Sequence, residues 1–192
     1  MGSLYGNAVE ARQRSAAVLG LSKGLGVQSE GAMTLAFAGD AARAQTLADD
    51  LGKRHPEDTI MHFNYLPTLH AQVALTRNDS SKAIEALQAA APYELGKPGW
   101  LYAVYVRGKA HLAAHQGTEA AAEFQKILDH RGVVLSDPIS ALAHLQLGRA
   151  YVLAGDKDKA RAAYDDFLTL WKDADPDIPI LQQAKAENAK LR

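Results

Sequence analysis

The chain has 192 residues, 47% of them hydrophobic and 22% charged, with a formal net charge of -1 and no cysteine. That length buries the core of one ordinary domain or one short repeat array. Near-neutral charge supplies no global basic field for nucleic acid, and the lack of cysteine removes disulfides, thiolate nucleophiles and Cys-ligated zinc while leaving the compartment open. No uninterrupted apolar run is long enough to span a bilayer, and Met1-Gly2-Ser3 leads into a helix-like pattern without a signal-peptide core. The expectation is a water-soluble chain without membrane or nucleic-acid partners, cytoplasmic or else an extracytoplasmic segment of a membrane-anchored parent. Leu4 onward reads as cut from something longer.

Residues 5–21 are alanine-rich, with Ala8, Val9, Ala11, Ala16, Val18 and Leu19 on an apolar stripe and Arg12, Gln13 and Arg14 on a polar one. This predicts a leading helix, the second half of a hairpin. Gly20, Gly24 and Gly26 are poor helix interior, so Ser22 to Val27 reads as a turn. A first hairpin covers 28–55: a helix from about Ser29 to Ala38, a turn at Gly39-Asp40, and a helix from about Ala41 to Lys53 closed by His55-Pro56. The second, 57–92, is the least regular. Thr59 to Thr76 carries the apolar residues of one helix, yet Pro67 stands in the middle, where it costs about 3 kcal/mol. Pro67 either kinks a long helix, the preferred reading, or lies in the first turn of a shorter one. Asp79 or Ser80 caps a second helix from Lys82 to Ala91.

Gly96-Lys97-Pro98-Gly99 forms a loop before the third hairpin, 98–131, with helices from Trp100 to about Ala114 and from Glu119 to Leu128, a turn at Gln116-Gly117, and Gly132 as the C′ residue. Asp137 and Pro138 open the fourth, 137–173, as N-cap and N1. There Leu147, Gly148 and Tyr151 recur at helical spacing, Gly155-Asp156 interrupts, and Ala160, Tyr164, Phe167 and Leu168 resume the period. Gly148 and Ala160 are small residues inside each helix, so the two backbones approach closely. Residues 177–191 are a capping helix, with Ile180, Leu181 and Ala184 over the open end of the stack and Glu187 and Asn188 toward water.

Leu147-Gly148, Tyr151, Gly155, Ala160 and Tyr164 together resemble the tetratricopeptide repeat. Ala32, Ala71, Gly108 and Gly148 are equivalent, at separations of 39, 37 and 40 residues, against about 34 in the usual repeat. The excess lies between hairpins. The resemblance implies an all-α fold, a TPR-like αα-hairpin superhelix (α-solenoid) of about four repeats with a C-terminal capping helix, nine or ten helices in one repeat domain over 1–192. Further stretches, among them Phe63-Asn64-Tyr65-Leu66-Pro67, Ala91-Pro92-Tyr93-Glu94-Leu95-Gly96, Tyr105-Val106-Arg107-Gly108 and Ala122-Glu123-Phe124-Gln125-Lys126, resemble the C-terminal repeat segment of certain bacterial eukaryotic-like serine/threonine kinases and of related winged-helix regulators. That implies a regulatory or interaction module appended to a signalling domain. The glycine-rich loop, His-Arg-Asp loop and Asp-Phe-Gly of a kinase are missing from the chain, so no kinase activity carries over.

Catalytic chemistry finds little support. His111 and His115 stand at i, i+4, but no third ligand or base is positioned with them. Asp49-Asp50 and Asp165-Asp166 diverge as sequence neighbours on a helix and make no dyad. Ser80, Ser81 and Ser136 read as caps and turns. No enzyme, metal or cofactor is expected. In the repeat register, residues of the first helices point to the concave face, which directs Tyr65, Gln72, Tyr102, Tyr105, Lys109 and Arg149 there. Rings give area at low entropy cost and the cations suit a carboxylate; equally, the tyrosines pack between hairpins or meet a terminal helix lying in the groove. The expected function is a non-catalytic protein–protein interaction module that binds a partner peptide in its groove. The alternative is a sensor or self-association domain, a homodimer in its simplest form.

Overall fold

The computed structural model describes residues 2–96 and 101–191. The described residues hold eleven α-helices and no strand. The all-α architecture that the periodicity implies is therefore present, with more short elements than nine or ten. The chain divides into two compact units, Met1–Tyr93 and Glu94–Arg192. The expected loop residues Lys97, Pro98 and Gly99 and the helix start at Trp100 lie outside the described residues.

In the first unit α1 (Ala8–Leu21) precedes two hairpins, α2 (Leu25–Phe37) with α3 (Ala41–Arg54) and α4 (Leu66–Thr76) with α5 (Ser80–Ala86). In the second, α6 (Tyr102–Ala113) pairs with α7 (Gly117–Asp129). The one-turn α8 (Arg131–Val134) leads to the pair α9 (Pro138–Leu153) and α10 (Lys157–Leu170), and α11 (Pro179–Ala189) follows.

All four hairpins turn on one device. The residue that leaves each first helix has a left-handed backbone: Gly39 (φ 81°), Asn78 (59°), His115 (58°) and Gly155 (81°). The next N–H then reaches back into the last helical turn, from Asp40 to the Leu35 carbonyl, Asp79 to Ala74, Gln116 to His111 and Asp156 to Tyr151, at 2.9–3.0 Å. Three of these residues also cap the second helix: Asp40, Asp79 and Asp156 accept from the N–H three positions on, at 3.2, 3.0 and 3.1 Å. Each such cap stabilises by about 1 kcal/mol. The third turn was expected at Gln116-Gly117. It falls one residue earlier because His115 takes the left-handed position, and Gly117 begins α7.

Gly117 is glycine for a different reason. A Cβ there would lie 2.6 Å from the Ala154 nitrogen and 2.9 Å from the Ala150 carbonyl oxygen, so the start of α7 rests on the backbone at the end of α9. The repeat-interior glycines meet side chains instead. A Cβ on Gly108 would come within 2.7 Å of the Phe124 ring, and one on Gly148 within 2.9 Å of the Tyr164 ring. Phe124 and Tyr164 fill the room so left, and are 0% and 2% exposed.

Elsewhere the elements depart from expectation for local reasons. The turn after α1 is shorter than Ser22–Val27, and Gly26 lies inside α2, because the Gln28 amide donates to the Ser22 carbonyl at 2.7 Å and the Ser22 hydroxyl accepts from Gly24 N–H at 3.1 Å. The chain passes Pro67 within one helical run from Thr59 to Thr76. Met61–Tyr65 is wound as a π-helix, with Leu66 N–H donating to the Met61 carbonyl five residues back; this wider turn eases the entry of a residue that has no N–H and a bulky ring. The second helix of that hairpin begins at Ser80 and tightens to a 3-10 helix at Leu87–Ala90. Gly132 is no C′ residue: it sits within α8, and His130 ends α7.

The link from α8 to α9 is strained. Leu135 stands at φ 56°, ψ -132°, in a tight turn closed by Asp137 N–H to the Val134 carbonyl at 3.2 Å. Glycine is the usual occupant of that position. A leucine there costs about 1–3 kcal/mol, and with the side chain 63% exposed no burial offsets the cost.

Candidate partner-binding site

Four of the six residues that spacing directs to the concave face lie in the second unit, on α6 and α9. Their side chains are engaged to different degrees. The Tyr102 hydroxyl donates to Asp137 Oδ1 at 2.9 Å, and the same oxygen caps α9 by accepting from Ile139 N–H at 3.1 Å. Tyr102 thereby fixes the start of α9. Tyr105 is 2% exposed; its ring meets Phe124 edge-on with centroids 5.9 Å apart, and Gln146 Nε2 donates to its hydroxyl at 3.4 Å. Burial pushes its phenol up to about 12. The expectation of Tyr105 as a groove wall is corrected: its ring is core.

Arg149 holds α11. Its Nε and Nη2 donate to the two oxygens of Glu187 at 2.8 and 2.9 Å, and the Tyr164 hydroxyl donates to Glu187 Oε2 at 2.8 Å. Burial opposes the charges on both partners, but the paired bonds outweigh it, raising the arginine and lowering the carboxyl. Glu187 and Asn188 were expected to face water. Instead Glu187 is bound, and Asn188, 2% exposed, donates to Asp165 Oδ1 at 2.8 Å. Arg161 adds a bond to the Leu191 carbonyl at 2.7 Å, while Ile180, Leu181 and Ala184 are buried. Burying Ile180 and Leu181 is worth about 1.5–3 kcal/mol each, so Glu187 is a fixed part of the unit rather than a loosely held occupant.

Lys109 follows Gly108 on α6 as Arg149 follows Gly148 on α9, and the two cations act on each other. Desolvation first, and then the charge of Arg149, push the partly buried Lys109 down to about 8. In the first unit the matching residue after Ala71 is Gln72, which is 5% exposed. Tyr65, half-buried, packs against the core formed by Ala32, Leu35, Leu51, Leu69 and their neighbours. Burial, with the charge of Glu30 as a lesser cause, pushes its phenol up to about 12.

Spacing arguments missed a charge cluster in the second unit. Glu94, 1% exposed, is bonded by Arg107 Nη2 at 3.0 Å and by Lys126 Nζ, and Arg107 Nη2 also reaches Glu123 Oε2 at 2.6 Å. Burial works against the Arg107 charge, and the carboxylates of Glu123 and Glu94 more than compensate. The bonded pairs are 13, 16 and 32 positions apart, so no local period links them. The nearest sequence signal is a fully charged set inside otherwise apolar stretches. The His111 and His115 pair dissolves: His115 leaves the helix, and His111 Nδ1 bonds Gln116 Oε1 at 2.7 Å. Among the described residues no group of three His, Cys, Asp or Glu is placed to hold a metal ion, and no helix is long and apolar enough to cross a membrane.

A sequence profile of the tetratricopeptide repeat matches residues 68–129 and again 105–177, together more than half of the chain. A search of curated proteins found no match.

Proposed function

The chain belongs to the tetratricopeptide repeat family, and on that premise we propose that it is a non-catalytic module that takes a peptide of a partner protein on the face of its first helices. Tetratricopeptide repeats generally mediate protein–protein interaction. The peptide is acidic or ends in a carboxylate. The observation that carries this reading is the state of Lys109: desolvation first, and the charge of Arg149 second, lower it to about 8, and an anion brought to that face stabilises its charged form. Within the second unit, Tyr102 supplies further contact area; Tyr65 and Gln72 belong to the first unit. Tyr105 and Arg149 act as positioning residues, the first by packing α6 against α7 and the second by holding α11. The motif resemblance further supports a regulatory segment of a larger signalling protein, beside a kinase or a winged-helix domain.

A random peptide library selected on the immobilised chain tests the reading. Acidic residues should dominate the selected peptides, and Lys109→Ala should lose them. Selection without acidic enrichment would refute it. The alternative of a sensor or self-association domain is favoured by one observation, the apolar side chains left exposed on α1, where Val9, Val18 and Leu21 are 63%, 46% and 87% exposed.

A further inference from the structure

Leu135 is a knob without a socket of its own. It is strained, it is exposed, and it shares a bonded turn with Arg131, whose carbonyl accepts from Leu135 N–H at 2.9 Å. Strain at a bulky side chain persists where something over-determines it. Within the chain no burial does so. A contact outside the chain would.

The first unit carries a matching depression. A cavity of about 270 Å³ opens between α1 and α2, lined by Ala11, Val18, Val27 and Gly31 together with the polar Ser15 and Thr34 and the charged Glu10, Arg14 and Glu30. Glu10 is engaged by Arg14 at 2.5 Å, while Glu30 is an exposed carboxylate. The cavity has an apolar part at Ala11, Val18, Val27 and Gly31 and room for a leucine side chain. With Glu10 bound to Arg14, Glu30 supplies the charge opposite to that of Arg131.

We propose that Leu135 of one copy of this chain seats in the cavity between α1 and α2 of a second copy, with Arg131 against Glu30. The contact joins two different surfaces, so each copy keeps one knob and one hole. Such a heterologous contact builds a ring or an open chain rather than stopping at a two-fold dimer. It goes beyond peptide binding and uses none of the residues assigned to it. A charged rim beside an apolar centre also makes association weaken as salt is added.

Sedimentation velocity on the intact chain tests this from about 1 μM to about 1 mM. Wild type should gain mass steadily with concentration. Leu135→Ala removes the knob and Val18→Glu blocks the hole, so each variant alone should stay monomeric, with its helical circular dichroism unchanged. An equimolar mixture of the two retains one good knob and one good hole, and should form a 1:1 dimer that grows no further. A monomeric wild type, a monomeric mixture, or either variant alone associating like wild type would overturn the proposal. The strain is read separately from dilute melts of Leu135→Gly and Leu135→Ala. At a relaxed position glycine is the less stable of the two; here it should be the more stable, and the opposite order would remove the strain on which the inference stands.

Discussion

Arg149 and Glu187 are joined through both carboxylate oxygens, at 2.8 and 2.9 Å, so a side chain placed by its spacing on an open face instead fastens the last helix. Arg149→Ala should therefore lower stability by about 1–2 kcal/mol, discounted because both side chains keep some contact with water. Glu187→Ala should cost a similar amount and the double variant less than the sum, in urea unfolding. Additive losses would mean that the pair is not coupled.

Gly117 and Gly26 give opposite expectations for the same substitution. Gly117→Ala drives a Cβ to 2.6 Å from the Ala154 backbone nitrogen, and since backbone cannot rotate away, it should destabilise by about 1–3 kcal/mol. Gly26 lies inside α2 with nothing within 4 Å of a new Cβ, so Gly26→Ala should stabilise by about 0.5–1 kcal/mol. Melting temperatures should move in opposite directions.

The buried Glu94 cluster should dominate the ionic part of stability. Glu94→Ala leaves Arg107 with Glu123 alone and removes the acid from Lys126, which should cost about 3–5 kcal/mol. The exposed pair Arg54 and Asp50, at 2.7 Å on α3, is the control: Asp50→Ala should change stability by less than about 1 kcal/mol. Equal effects in urea unfolding would deny the cluster its role.

Stability should vary with pH in a sense set by Lys109. Its folded value is about 8 against an ordinary 10.5, so between those values the unfolded chain holds a proton that the folded chain has released. Stability then rises with pH across that window. Above pH 10 the sign reverses, because the phenols of Tyr65 and Tyr105, pushed from 10.0 to about 12, stay protonated in the fold while the unfolded chain loses theirs. Lys109→Met should flatten the rise between about pH 8 and pH 10. Melts that decline throughout that range would contradict the burial of its charge.

What the sequence made legible follows from what is local. Small residues at Ala32, Ala71, Gly108 and Gly148, with Ala44, Ala83, Ala120 and Ala160 opposite, mark the helix pairs, and the structure buries all eight. The turn at His115 was less legible because a histidine stood where glycine or asparagine signals a left-handed residue. The π-helix before Pro67 had no local signature apart from the proline. The partner of Arg149 was missed because Glu187 lies 38 residues away, and helical spacing places a side chain on a face without saying what stands across from it. Glu94 was missed for the same reason.

Lys109 bears the weight of the proposed function, and calorimetric titration of the best library-selected peptide reaches it most directly. Against wild type and Lys109→Ala, at low and high salt and at pH 7 and pH 9.5, the variant should bind at least about tenfold more weakly, the loss expected for one charge-assisted contact. Wild-type affinity should fall with added salt and as pH rises through about 8, where the ammonium is lost. Equal affinities for the two proteins under all four conditions would contradict the reading and take the peptide off the first-helix face.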